Sequence, residues 1–558
     1  MVRRRLALVA PPIVVGVIAF VAMRLTMLPG VDFWDTAELQ TVAPILGTAH
    51  PTGFPTYVLL GWVMNALFAP FGEPAFRMNL FAAISVAIAV GLTVDLVRVL
   101  TRSIPLGVFA GLGLAFTEIV WSIGTHAEAH SLHLLLVVLL FRSLVGWELS
   151  ARGASESGVG GHGDGGHGDG GHVGVGDGGH VGVGGGVGHG GSTRDDRWLI
   201  AAAVVFGLSM GNHSLTLLLA PAVGLYVLAV DPRIWRRPRL VVGCVVALLG
   251  TMALVFLELP LRAGPFRAAL VYGRPETWDG FWYVVLAEQF RGSLVAPFTD
   301  IPAKIAALVD RTVAGFGPLA VLLPIGLVAT IQIRPRYALL SGVSLAITVF
   351  FAASYVNADI GRYYLVPAFI AWTWLAMLAA AIASAVRIGD ARVDGGGSDR
   401  PGTETTGRAS VLRPTTWVAV ALAIVLLIPT GLAIGGRWTR VDRSHDRAAA
   451  LWLDRALDAM APDAVVVSWW SYSTPLWYAQ HVEGRRPDIT IIDDRTRLDQ
   501  DLGDIFDVID ANLPTRPVYV MRADPKEQRE LAERYLLERV LLDASSLTRV
   551  IGPREVGG

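Results

Sequence analysis

Long apolar runs separated by short polar turns dominate the chain as far as residue 435. A helix needs about 20 such residues to cross the hydrocarbon core of a bilayer. Runs at 6–28, 77–100, 104–122, 131–148, 198–212, 214–230, 239–260, 308–331, 337–355, 364–387 and 414–435 therefore predict about eleven spans. The stretch 198–230 reads either as one long helix or as two short ones broken at GNHS. The run TYVLLGWVMNALFAPF at 56–71 is too short to cross and reads as a helix lying in the outer interface. Past residue 437 the period changes. AALWLDRALDAM, DAVVVSW, PDITIID, PVYVMRA and KEQRELAERYLLERVLL alternate helical and strand patterns. The expected architecture is a mainly α, polytopic transmembrane domain over 1–436, followed by a small α/β domain over 437–558.

Composition agrees with this division. Of 558 residues, 53% are hydrophobic and 17% charged, too little charge for the surface of a soluble chain this long. A formal net charge of -1 gives no sign of nucleic-acid binding. The lone cysteine, Cys244, excludes an internal disulfide. Two inserts are too polar to build a core. Residues 151–197 form a Gly-rich loop containing His162, His167, His172, His180 and His189, expected to be disordered and to carry no rigid metal frame. Residues 388–413 form a second linker. With Arg3, Arg4 and Arg5 left in the cytoplasm as part of an uncleaved first span, each strongly basic loop falls inside. The expected topology is an integral protein of the cell (plasma) membrane, with a cytoplasmic N-terminus and an extracytoplasmic C-terminal domain.

On that topology the unusual polar groups gather on the outer side. They are Asp32, Asp35, Glu38 and His50 after the first span; His126, Glu128, His130 and His133 in THAEAHSLH; Asn212 and His213 in GNHS; and Asp359, Arg362, Tyr363 and Tyr364 in NADIGRYY. Arg262, Arg274 and a Trp/Tyr cluster between 261 and 307 lie on the same side. Ionisable groups at membrane depth are costly and usually pair or serve a cavity, so four loops of this kind point to a shared site. Each has a plainer reading. Asp35 and Glu38 fit a helix capping box, with Asp35 as N-cap and Glu38 three residues into the helix. His126, His130 and His133 fall at i, i+4, i+7, which permits a metal on one helical face, though nothing else marks zinc. Arg362 is suited either to snorkelling or to gripping an anion. Asn212 and His213 are suited to satisfying backbone groups freed at a helix break. The aromatic run Trp469, Trp470, Tyr472, Trp477 and Tyr478 suits sugar stacking or core packing equally.

In order along the chain stand DTAEL, LGTAHPTGFP, FRMNLFAA, AEAHSLH, GNHSLTLLLAP, ELPLRA, GRPETWDGF and DIGRYYLVPAF. This series resembles the protein O-mannosyltransferase-like membrane family, long catalogued as a domain of unknown function, within the GT-C superfamily of glycosyltransferases. The likeness is good over 29–370 and looser through PDAVVVSWWSYSTPLWYAQHVEGRRPDITIID. It implies a GT-C fold whose long first outer loop bears a catalytic acid residue. It also implies transfer of a sugar, with inversion, from a polyprenyl-phosphate carrier to an extracytoplasmic hydroxyl. Asp35 and Glu38 match the family's D-[ST]-x-E-L, and His50 matches the His of HPPGYP. Thr52 and Phe54 stand where the family usually has Pro and Tyr, and His130 stands where it tends to have Tyr. SWWSYSTPLWY lacks the Asp often seen in the C-terminal motif.

Together these readings predict a mannosyltransferase-like enzyme. Asp35 serves as general base and Glu38 positions it or shares the role. His50, His126, Glu128, Asn212, His213, Arg362 and Tyr363 serve donor or acceptor binding. Arg362 and His50 meet the charge that develops on the leaving phosphate. The partners implied are a lipid-linked sugar donor, membrane lipid, and a secreted protein, glycan or lipid acceptor. No cofactor is assigned, and no ligand set supports a divalent metal. The competing class is a transporter or flippase of a lipid-linked intermediate, whose site would sit near the midplane at broken helices in repeated halves. No such repeat is visible.

Overall fold

A computed structural model describes residues 2–157, 195–295, 298–357, 359–393, 415–522, 524–540 and 547–554. The histidine-rich tract and most of the second linker lie outside these residues. The chain nevertheless stays helical into both inserts, to Ser157 on one side and Val393 on the other.

The membrane part begins with α1 (Val2–Leu25), α2 (Trp34–Ile45), α3 (Pro55–Leu67), α4 (Pro74–Thr101), α5 (Ile104–Ala115), α6 (Glu118–Ser122) and α7 (Ala129–Ser157). Then come α8 (Arg197–Asn212), a 3₁₀ turn (Ser214–Leu219) and α9 (Ala220–Val230). Among the described residues, 8 helical segments are long and apolar enough to cross a membrane. Shorter apolar helices cover Ile104–Ala115, Arg197–Asn212 and Ser214–Val230. Each expected span thus coincides with an apolar helix, but not always with a full-length one. The run 104–122 breaks after Ala115, and Thr117 turns its hydroxyl back to the Gly113 carbonyl (2.8 Å) while accepting from the Trp372 indole (2.8 Å). The stretch 198–230 is two segments, parted at His213, whose backbone is extended. The chain is thus mainly helical, with a small sheet near its C-terminus.

Small residues set how closely the first helices approach. A Cβ on Gly16 of α1 would come within 2.9 Å of the Ala87 carbonyl on α4, and one on Gly91 within 2.8 Å of the Pro12 carbonyl. Close backbone approach of this kind is how helices associate where lipid offers no hydrophobic drive.

The C-terminal portion forms a five-stranded sheet in the order β2-β1-β3-β5-β4. Strands β1 (Val465–Ser468), β2 (Thr490–Ile492) and β3 (Val518–Met521) run parallel, with Val466 opposite both Ile491 and Tyr519. Strands β4 (Tyr535–Arg539) and β5 (Thr548–Pro553) close the β3 side in antiparallel fashion. All four residues of VVVS in β1 are buried, as expected of a parallel strand covered on both faces. This portion packs against the loop between α1 and α2 and the start of α4. Phe33 packs on Trp452 and Tyr472 (ring centroids 5.4 and 6.0 Å), Arg443 pairs with Asp32 (2.6 Å), and the Tyr478 hydroxyl accepts from the Ala75 N–H (3.1 Å).

Candidate active site

Helix α2 begins one residue before Asp35, with Phe33 at the N-cap position and no side-chain cap. The capping-box reading of Asp35 and Glu38 is therefore wrong. The reason lies across the loop: Glu38 is completely buried and is claimed by His50. One carboxylate oxygen accepts the His50 backbone N–H (2.7 Å) and the other meets His50 Nδ1. Glu38 thus clamps the start of HPTGFP to α2 and has no reach back to its own helix start. Arg262 fastens the other end of α2, donating to the carbonyls of Leu46 (2.7 Å) and Ile45 (3.1 Å). It is a helix-end anchor and leaves the cavity to other residues.

Burial pushes the Glu38 carboxyl up, His50 opposes the rise, and nearby Asp35 adds to it. Burial alone would lower His50, but the Glu38 carboxylate raises it to about 9. The two groups therefore keep one proton between them through neutral pH.

Arg362 ties three loops together. It donates to Glu128 (2.7 Å), to Asp359 (2.9 Å) and, at the edge of hydrogen-bonding range, to Asp35 (3.4 and 3.5 Å). Glu128 also accepts from His130 Nδ1 (2.8 Å). Burial would raise Glu128, yet Arg362 and His130 together hold its carboxyl well below the usual range. The His130 ring also lies against those of His213 (4.6 Å between centroids) and Tyr363 (5.6 Å), each tilted by 53°. His213 Nδ1 accepts from the Leu215 N–H (3.1 Å), which puts the neutral ring's proton on Nε2. Buried Arg362 Nε and His130 Nε2 have no hydrogen-bond partner among the described residues.

These groups surround one cavity of about 680 Å³. Of the residues singled out in the sequence, Asp35, His50, Glu128, His213, Arg362 and Tyr363 line it. Three expected residues do not. Glu38 stands behind His50. Asn212 spends its amide on the Ala129 carbonyl (3.0 Å), and His126 turns to the Thr125 hydroxyl (3.3 Å). Because α7 starts at Ala129, His126 precedes the helix and shares no face with His130 and His133. No group of three metal-ligating side chains converges among the described residues.

The C-terminal portion supplies part of the wall; the sequence leaves Trp470 open between sugar stacking and core packing and does not single out Asp493, Asp494 or Arg495. Trp470 stands edge-on to His50 (5.8 Å) and to Tyr272 (5.6 Å), and Asp493, Asp494 and Arg495 complete that side. Burial raises Asp493 to about 6. The Arg495 guanidinium lies over the rings of Tyr272 (4.7 Å) and Tyr283 (4.6 Å) and donates to the Tyr283 hydroxyl (2.8 Å). One sequence signal could have found them. SWW and DDR each come directly after a short apolar strand run, where ligands gather in parallel sheets.

Residues 35–235 match a family model described as the protein O-mannosyl-transferase TMEM260 N-terminal domain. The mouse protein O-mannosyl-transferase TMEM260 is 37% identical over 147 residues, covering 25% of this chain and 20% of that relative. The chain thus matches about a fifth of the curated relative's length. In fold, the chain is similar to ArnT from Cupriavidus metallidurans bound to undecaprenyl phosphate, with a TM-score of 0.54, 14% identity and coverage of 98% of this chain and 97% of that one. The apo form of the same protein gives 0.52, with 15% identity and 98% coverage of both chains. The low identity to ArnT carries the fold alone. Residues 35–235 are thus similar to the N-terminal domain of the TMEM260 protein O-mannosyl-transferases, and the chain as a whole is similar in fold to ArnT.

Proposed function

We propose that this chain is an inverting membrane glycosyltransferase. It moves a sugar, mannose by family likeness, from a polyprenyl-phosphate carrier to an extracytoplasmic hydroxyl such as a protein Ser or Thr. The cavity's outer placement follows from the charge pattern of the loops. The undecaprenyl phosphate bound to ArnT supports a carrier of the same class.

The observation that carries the mechanism is the unequal commitment of three neighbouring carboxylates. Glu38 is buried against His50, and Glu128 is buried against Arg362 and His130. Asp35 lines the cavity with its side chain 34% exposed and only long contacts to Arg362. A general base must reach the proton it removes, which singles out Asp35. The acceptor hydroxyl gives its proton to Asp35 while its oxygen attacks the anomeric carbon. The bond from that carbon to the phosphate oxygen breaks on the opposite face, and the lipid phosphate leaves as an anion.

Arg362 meets that charge. Its exposed partner Asp359 is the contact a phosphate most easily replaces, and its unpartnered Nε offers a further donor. His50, held by Glu38, lines the same cavity and offers its other ring nitrogen there. The role of Glu38 is to position His50 and the HPTGFP loop.

Asp35→Asn should insert and fold like the wild type while sugar transfer falls below about a hundredth. The test uses the purified chain with a polyprenyl-phosphate sugar and a peptide acceptor, following free polyprenyl phosphate and glycosylated peptide. Near-normal transfer by this variant would remove Asp35 from the role.

A further inference from the structure

Parallel strands β2, β1 and β3 end side by side, and each end carries aromatic or charged residues. Trp469 and Trp470 come after β1, Asp493, Asp494 and Arg495 after β2, and Arg522 after β3. The chain leaves β1 for β2 on one side and then crosses to β3 on the other, so the order reverses at β1. In open parallel sheets ligands bind in the crevice outside the carboxyl ends of the strands at such a reversal. Here that edge meets the membrane cavity, and Trp470, Asp493, Asp494 and Arg495 all line it.

The edge is rigidly built. Arg522 donates to the Ser468 carbonyl (2.9 Å), to both oxygens of Asp494 (3.0 and 2.9 Å) and to Glu527 (2.8 and 2.9 Å). It thus ties the ends of β1 and β2 to β3. Asp499 reaches out of the unit to the Gly273 N–H (2.8 Å), and Arg495 to the Tyr283 hydroxyl. Asp493 is 3% exposed yet faces the cavity, with one oxygen fixed by the Thr496 N–H (2.7 Å). Trp470 is partly exposed, and three rings meet its flanks edge-on: His50, Tyr272 and Trp477.

We propose that the carboxyl edge of the C-terminal sheet is the pyranose subsite for the sugar being transferred, with Trp470 as its platform and Asp493 as its hydroxyl acceptor. A pyranose offers an apolar C–H face and a rim of hydroxyls. A rigid aromatic surface beside an anchored carboxylate matches both. The subsite rests on the proposed function, which sets the phosphate at Arg362. It orders the donor along the cavity: phosphate at Arg362, anomeric carbon beside Asp35 and His50, ring on Trp470. This side of the cavity then reads the sugar, while the membrane helices hold the lipid phosphate.

The test measures binding of polyprenyl-phosphate sugar and of bare polyprenyl phosphate to the full-length chain in nanodiscs. Trp470→Leu and Asp493→Asn are the variants. Asn also caps helices well, so the second keeps the local fold. Wild type should prefer the sugar-bearing lipid, and each variant should lose roughly three- to tenfold of that preference. Affinity for the bare lipid should stay unchanged in both. Equal preference in wild type and variants, or a loss confined to the acceptor's KM, overturns the subsite. Failure of wild type to bind either lipid overturns instead the donor assignment on which it rests.

Discussion

Glu128 and Arg362 form the contact on which the cavity's geometry most depends, and Glu128→Gln tests it. Arg362 has three acidic partners, but they are not equal. Asp359 is 70% exposed, and a pair of that kind contributes at most about 1 kcal/mol. Asp35 stands at 3.4 Å. Glu128 is 4% exposed at 2.7 Å and is also held by His130. Removing one member of a buried pair typically costs about 3–5 kcal/mol, because the other charge stays buried and uncompensated. Gln keeps the shape and an acceptor for His130 but loses the charge, so Glu128→Gln should cost about 3 kcal/mol.

A double-mutant cycle isolates the pair. With Arg362→Met as the second substitution, the coupling energy should be about 2–3 kcal/mol. Unfolding in mixed micelles would supply the four free energies. The pH dependence has a definite sign. Because Glu128 is held well below its ordinary value of 4.5, the unfolded state binds its proton more readily. Its contribution is fully present above 4.5 and is lost as pH falls through the depressed folded value. A coupling below about 0.5 kcal/mol would be no more than ordinary non-additivity and would refute the account of Arg362 as a bridge.

The neighbouring carboxylate offers the control: Asp359→Asn should change stability by less than about 1 kcal/mol and leave donor use intact. A large loss there would show that the surface partner, not the buried one, sets the guanidinium. The Glu38–His50 pair works in the opposite pH direction. His50 is raised to about 9, so its stabilisation is complete below 6.5 and is lost as pH rises through about 9. His50→Gln should flatten that alkaline limb in a melting-temperature series, and an unchanged limb would remove the pair from it. Arg262→Ala should cost about 1–2 kcal/mol by freeing two carbonyls at the end of α2, with Arg262→Lys a poor rescue. Full rescue by Lys would show that charge alone matters there.

Much of this molecule is legible one residue at a time. Apolar runs of the right length predict each membrane helix, because lipid leaves the backbone no partner but itself. The switch to strand periodicity after residue 437 marks the sheet, and VVVS already looks like a strand buried on both faces. The loops that carry Asp35, His50, Glu128, His213 and Arg362 stand out because charge at membrane depth needs a reason.

Pairing is a different matter. DTAEL contains two carboxylates in identical local settings, and local spacing makes both part of a cap. Tertiary contacts separate them. His50 approaches from twelve residues away and takes Glu38, whereas Arg362 comes from a distant helix end and only brushes Asp35. His126, His130 and His133 have helical spacing, yet the helix starts after the first of them, since the Asn79 side-chain oxygen takes the Ala127 N–H (2.8 Å) and holds that turn. Trp470 belongs to an aromatic run that suits core packing as well as sugar stacking, and Asp493 is marked only by its place after a short apolar strand. They become cavity walls only because the carboxyl edge of the sheet is docked over α2. Sequence determined which segments cross and where charge gathers, because burial and periodicity are local properties. The fold decided which carboxylate stays free, because that depends on partners that tertiary packing brings in, His50 from across the loop and Arg362 from the far part of the chain.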